Sequence, residues 1–153
     1  MFEILNKTHN RTSFDCGNEP INAYLKTMAN QHAKKGMSVT HILAQNDAVG
    51  AFYTLSNMHI NNDERKLAGY PSEVPAILIG RIGVNKPFQG QGLLKEVLKD
   101  ALKNVIQLAK ISGIAFVVVD AKTDQLVKFY QSVGFASLAD RRLVLAVNKI
   151  YKE

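Results

Sequence analysis

A single cysteine, Cys16, excludes an internal disulfide and with it the small cross-linked secreted scaffolds. The four histidines (His9, His32, His41 and His59) are scattered, with no HExxH-type spacing, which argues against a bound metal. The longest wholly apolar run, IAFVVV from Ile114 to Val119, is far too short to cross a bilayer. The N-terminal MFEILNK lacks the basic region and apolar core of a secretory signal. These absences predict a cytoplasmic protein with no membrane attachment and no metal. Nor is there an internal repeat, a low-complexity segment or a linker.

What is present is globular. A hydrophobic fraction of 46% and a charged fraction of 21% are ordinary for a folded domain. A chain of 153 residues is expected to form one domain, residues 1–153, large enough to bury about two thirds of its surface. The net charge of +6 attracts polyanions, nucleic acid first among them, although a merely solvated basic surface would give the same number.

The order of elements follows from periodicity. FEIL reads as a short strand. NEPINAYLKTMANQHAKKG places Ile21, Tyr24, Leu25 and Met28 at helical spacing, with Pro20 near the first turn and Gly36 as the stop. MSVTHILA and AVGAFYTLSNMHI, separated by Asn46 and Asp47, read as an antiparallel hairpin, and residues 61–75 as a loop. The 61–75 stretch could equally hold a short irregular helix; AILIGRIGVN is a strand. From Leu93 to Ser112 a helix is expected, with Leu94, Leu98, Ala101, Leu102, Val105 and Leu108 on its buried stripe and Gly113 at its end. IAFVVVD is a strand, DQLVKFYQSVGF a short helix closing at Gly134, and RRLVLAVNKI a final strand. The expected fold is α/β of the α+β kind: a mixed, mostly antiparallel central sheet with helices on both faces.

The stretch NKPFQGQGLLKE, Asn85–Glu96, joins a buried-type strand directly to the long helix. A glycine loop there presents several backbone N–H groups and a helix N-terminus to one point, which suits a phosphate. A Walker loop requires Gly-Lys-Ser/Thr, but Leu93 and Leu94 follow Gly92. A dinucleotide fingerprint requires a third glycine at an offset that Gly90 and Gly92 do not supply. The pattern Gln/Arg-x-x-Gly-x-Gly/Ala fits at Gln89 and Gly92, with Leu94 at its last position.

With RIGVN before it and FYQSVGF after it, this loop resembles that of the GNAT superfamily of N-acetyltransferases, and the likeness covers essentially the whole chain. FDCGNEPINAYL, GAFYTLS, LIGRIGV, FQGQGL, DAK, KFYQSVGF and RRLVLAV look like the branch whose members are toxins of toxin-antitoxin pairs and acetylate aminoacyl-tRNA. The resemblance implies acetyl-CoA as cosubstrate. It places backbone groups of Ile82, Gly83 and Val84 along the pantetheine arm, with Gln89, Gly90, Gln91, Gly92, Leu93 and Leu94 at the phosphates and Phe129 also against the cofactor. Leu94 departs from the pattern, where Gly or Ala is usual, and could instead point into the core. Tyr130 matches the general acid of the family; otherwise it is a core tyrosine.

No residue is an obvious general base. An α-amine with a pKa near 7.7 to 8 is already partly neutral at pH 7, unlike a lysine near 10.4, so an α-amine acceptor demands little of one. For tRNA the candidate contacts are Arg81, Lys34, Lys35, Lys122 and Arg142, with Arg141 beside it; each lysine could equally be a solvated charge, a reading that Arg81, inside an apolar strand, fits least. Cys16 reads as a small buried apolar residue. A DNA-binding antitoxin and a homodimer are the partners the resemblance implies. The alternatives are acetylation of a small-molecule or protein amine, and a noncatalytic CoA- or RNA-binding module.

Overall fold

The computed structural model describes residues 2–150. Seven strands form one sheet in the order β1-β2-β3-β4-β5-β7-β6: β1 (Phe2–Ile4), β2 (Val39–Gln45), β3 (Ala48–Asn61), β4 (Glu73–Val84), β5 (Phe116–Asp120), β6 (Ala136–Ala139) and β7 (Arg142–Ala146). β4 and β5 pair in parallel, while the β1–β2, β2–β3, β5–β7 and β6–β7 pairs are antiparallel. The mixed, mostly antiparallel sheet is therefore the one expected. The chain divides into two compact units, Met1–Ser56 with Gly80–Ala101, and Asn57–Ile79 with Leu102–Glu153.

In the first unit, Asn46 and Asp47 take φ values of +52° and +68° and make the two-residue turn of the β2–β3 hairpin, where Gln45 pairs with Ala48. Two left-handed residues twist the strands in the hand the sheet requires, and Asn and Asp tolerate that conformation better than other side chains. Asn18 caps helix α1 (Glu19–Ala23) by accepting the Ile21 N–H. A π-helical turn, Tyr24–Met28, then leads into α2 (Ala29–Lys34), an irregularity that periodicity does not foretell. Gly36, at φ +73°, ends this helical region as expected.

Phe14, Ile21, Tyr24, Leu25, Ala29, Ile42, Val49 and Phe52 form the core on one face of the sheet. Full burial of Leu25 alone contributes about 2 kcal/mol. The neighbouring Tyr53 points the other way and donates its hydroxyl proton to Asp100 on α3 (Leu93–Ala109), so helices cover both faces here. The buried stripe of α3 differs from the expected one: Val97, Leu98, Ala101 and Val105 are buried, while Leu108 is exposed.

In the second unit, Ile60, Val74, Ala76, Phe116, Val118 and Val144 form a separate cluster. The expected last strand stops at Ala146. Val147–Ile150 turns into the short helix α5, tied back by the Val147 N–H to the Ala115 carbonyl. Strand β6, which the sequence reading omitted, is a short and mostly exposed edge with no apolar alternation to mark it.

One buried oxygen in the first unit lacks a partner. Thr40 is 2% exposed and its Oγ1 makes no hydrogen bond among the described residues. Leaving a buried hydroxyl unmatched costs about 1 kcal/mol or more. Thr40→Val is therefore expected to raise stability by about 1 kcal/mol, read as a melting temperature roughly 2–4 °C higher.

Candidate active site

The site begins in the C-terminal half of β4. Arg81 has φ +43°, a left-handed conformation that costs a non-glycine residue about 1–2 kcal/mol. Pairing of β4 to β5 covers Ala76–Ile79, so the stretch Gly80–Val84 has no β5 partner. The backbone of Ile82, Gly83 and Val84 thus has its β5-side edge open among the described residues, the arrangement an amide-bearing ligand can extend. The exposed Arg81 side chain is held with its guanidinium carbon 4.0 Å from the centroid of the Tyr24 ring.

Gly83 owes its identity to packing. A Cβ there would meet Phe52 Cε1 at 2.9 Å, with Ile21 Cγ2 and Phe14 Cζ both at 3.1 Å. Its missing side chain makes room for the aromatic core beneath the strand.

After β4, a 3-10 turn (Lys86–Phe88) intervenes before the glycines, so strand and helix are not joined as directly as the sequence suggests. The N–H groups of Asn85, Lys86, Phe88 and Gln89 are bonded within the protein, and those of Lys95 and Glu96 bond the Gly92 carbonyl. The intervening N–H groups, from Gly90 to Leu94, have no acceptor among the described residues. Gly90 and Gly92 adopt φ of +79° and +78°, with nothing within 4 Å of where a Cβ would stand. Here glycine serves the left-handed backbone, and the space beside it stays open. Five successive amides at the start of a seventeen-residue helix make a strong anion cradle. Leu94 is half-buried, and its N–H remains one of the five.

In the second unit, α4 (Asp124–Ser132) is capped by Thr123, whose Oγ1 accepts the Leu126 N–H at 3.1 Å. Its far end closes through Gly134 at φ +110°, with the Phe135 N–H on the Tyr130 carbonyl at 3.0 Å. Tyr130 is thereby locked at the end of the helix, 3% exposed, edge-on to Phe129 and Phe135 at 5.4 and 5.6 Å. Its ring is buried, and its hydroxyl has no hydrogen-bond partner among the described residues. Burial pushes its pKa up to about 12.

Lys34, Lys35, Arg81 and Lys122 are exposed and make no ion pair among the described residues. The two neighbouring arginines are committed elsewhere. Arg142 makes a fork on Asp120 at 2.7 and 2.8 Å, and Arg141 pairs with Asp124 at 3.1 Å and donates to the Lys122 carbonyl. The Asp120 hydrogen bonds hold the Arg142 pKa above its usual value. Cys16 is only partly buried, not fully as expected, and desolvation pushes its thiol pKa up. Among the described residues no cluster of His, Cys, Asp and Glu could hold a metal, and no helix is long and apolar enough to cross a membrane.

An open strand edge leading into an amide cradle suits a carrier with an amide-bearing arm and phosphates, the kind of carrier that group transferases use. The chain belongs to the acetyltransferase (GNAT) domain family, matched over residues 28–145, and is an acyltransferase. It is 30% identical over 127 residues to a tRNA-acetylating toxin of Mycobacterium tuberculosis (strain ATCC 25618 / H37Rv), a match covering 81% of this chain and 76% of that protein. The solved structure of AtaTR bound with AcCoA superposes with a TM-score of 0.87 at 25% identity, over 99% of this chain and 96% of that one. The AtaT-AtaR complex bound to DNA gives 0.83 at 26% identity, over 99% and 97%.

Proposed function

We propose that residues 1–153 act as a single N-acetyltransferase domain that moves an acetyl group from acetyl-CoA to the α-amino group of aminoacyl-tRNA, as a translation-blocking toxin of the cytoplasm. The observation that carries this reading is the row of unspent amides from Gly90 to Leu94, in a chain related to a protein named for acetylating tRNA. Acetyl-CoA supplies an activated thioester when bound. The Gly90–Leu94 amides take its diphosphate, the backbone of Ile82–Val84 lies along its pantetheine arm, and Phe129 borders it.

Tyr130 supplies the proton. As the new C–N bond forms and the C–S bond breaks, its hydroxyl protonates the departing sulfur, and the amine gives up its own proton to water. A pKa of about 12 keeps that hydroxyl loaded at neutral pH. It also makes transfer to a thiolate more uphill than the ordinary values of about 10 and 8.5 suggest. Burial raises a thiol in the same direction as a phenol, which narrows the gap during the reaction.

Arg81, Lys34, Lys35 and Lys122 are the candidates for tRNA phosphates; Arg142 contributes less, because Asp120 already matches its charge. A DNA-binding antitoxin is the proposed partner, by analogy with the AtaT-AtaR complex, and a homodimer the proposed assembly. Incubation with labelled acetyl-CoA and total charged tRNA tests the reading. Label on the tRNA supports it; retained CoA binding with no label on any amine points to a noncatalytic module instead. Label transfer is expected to weaken steeply between 50 and 200 mM salt, as phosphate contacts require.

A further inference from the structure

The amide cradle does not hold itself in place. We propose that the segment Asp15–Cys16, with Asn22, Asn85 and Gln89, forms a brace that fixes the diphosphate loop in its binding geometry, and that the Gln89 side chain is a positioning group and not a phosphate ligand. This rests on the assignment of the loop to acetyl-CoA.

The contacts form a continuous chain. The Asp15 N–H donates to Asn85 Oδ1 at 3.2 Å, and the Lys86 N–H donates to the Asp15 carbonyl at 2.9 Å. The Asp15 carboxylate accepts the Gly17 N–H at 2.9 Å and Asn22 Nδ2 at 3.0 Å, and meets Lys86 Nζ at 3.2 Å. These donors, the Gly17 N–H first, hold the Asp15 pKa down to about 2, so the carboxylate stays ionised throughout the working range. Asn22, 2% exposed on α1, returns its Oδ1 to the Cys16 N–H at 2.9 Å and so anchors the segment to the core. From the loop side, Asn85 reaches the Val49 carbonyl with its Nδ2 at 3.2 Å. Gln89 spends both protons of its Nε2 at once, on the Cys16 carbonyl at 3.0 Å and the Val84 carbonyl at 2.8 Å.

An amide nitrogen with both protons engaged has none left for a phosphate. What Gln89 does instead is join the end of β4 to the Asp15–Cys16 segment immediately before Gly90, where the chain turns left-handed. Two glycines make that turn permissive, and a permissive loop loses entropy on binding unless something has already ordered it. The brace supplies that order from residues about seventy positions away in sequence.

The test uses Gln89→Met, which keeps length and removes the donors, and Asn85→Ala; Gln89 is exposed, so its replacement leaves the core intact. Each variant is expected to raise the Kd for CoA and the KM for acetyl-CoA about tenfold, with kcat at saturating cofactor and the KM for charged tRNA within twofold of wild type. Asp15→Asn retains the oxygen that accepts from Gly17 and Asn22 but loses the Lys86 ion pair, so its Kd for CoA should rise less than that of Asp15→Ala, which should follow the other two. Amide exchange of Lys86 without cofactor reads the brace directly and should quicken in Asn85→Ala and Asp15→Ala. Unchanged CoA affinity in Gln89→Met, or an equal fall in kcat and in tRNA affinity, overturns the positioning role. Wild-type protein that binds no CoA overturns the cofactor assignment instead, and the exchange measurement still decides whether the brace exists.

Discussion

Tyr130→Phe is expected to lower kcat by about 10²–10³-fold while leaving CoA affinity within twofold of wild type, measured by single-turnover acetylation and calorimetry. The substitution is unusually clean. The ring packs edge-on to Phe129 and Phe135, and Phe preserves both contacts. The hydroxyl has no hydrogen-bond partner among the described residues, so its removal orphans no acceptor and stability should not fall. In the proposed mechanism, what disappears is the proton for the departing sulfur. The pH dependence follows from the same burial. With a pKa near 12, the acid stays protonated throughout the accessible range, so no falling limb from Tyr130 should appear below about pH 11. The rising limb should sit near pH 8, where the α-amine of the acceptor loses its proton. For folding the sign is fixed as well. A raised tyrosine pKa contributes stability that is complete below the unfolded value of about 10 and is lost as pH climbs from 10 through 12. Equal activity in the Phe variant would remove Tyr130 from the chemistry.

Gly83→Val is expected to destabilise the protein by about 3 kcal/mol, a melting temperature lower by roughly 6–12 °C. The Cβ alone would stand 2.9 Å from Phe52 Cε1 and 3.1 Å from Phe14 Cζ. Both rings are about 1% exposed or less, and they pack edge to face at 5.4 Å, so neither can move without opening the core. The β-branched methyls add to the clash, even though valine is otherwise a good strand residue. Gly92→Ala is the contrast: nothing lies within 4 Å of its Cβ position, and its penalty is the left-handed φ of +78°. If Gly83 were small only to admit a ligand, Gly83→Val would melt normally and lose only CoA affinity, an outcome that would contradict the packing account.

Much of the architecture was legible because it rests on short-range rules. Asn46-Asp47 between two apolar runs specifies a hairpin turn, Gly36 and Gly134 end their helices, and the Gly-x-Gly stretch before the long helix marks the left-handed turns at Gly90 and Gly92. Tyr130 could be singled out from KFYQSVGF by resemblance. Other features were hidden because nothing local marks them. The exposed edge β6 has no alternation, and α5 begins where a β-type apolar run was still in progress. The stripe of α3 was misread at Leu108, which is exposed, and at Val97, which is fully buried, because the sheet and not the helix decides which face is covered. The brace was hidden too, although FDCG was noticed as a motif, because its partners lie about seventy residues away.

The sequence by itself determined the order of strands and helices, the glycine loop with its family, and the class of chemistry, since each depends on residues within a few positions of one another. Only the tertiary structure decided that Gly83 is small for the sake of Phe52, that Arg141 and Arg142 are matched by Asp124 and Asp120, that burial pushes the Tyr130 pKa up to about 12, and that the Gln89 side chain is tied to the Cys16 and Val84 carbonyls. The physical reason is common to all four. Burial, ion pairing and crowding are set by which atoms meet across the fold, and a residue's neighbours in space are not written in its neighbours along the chain.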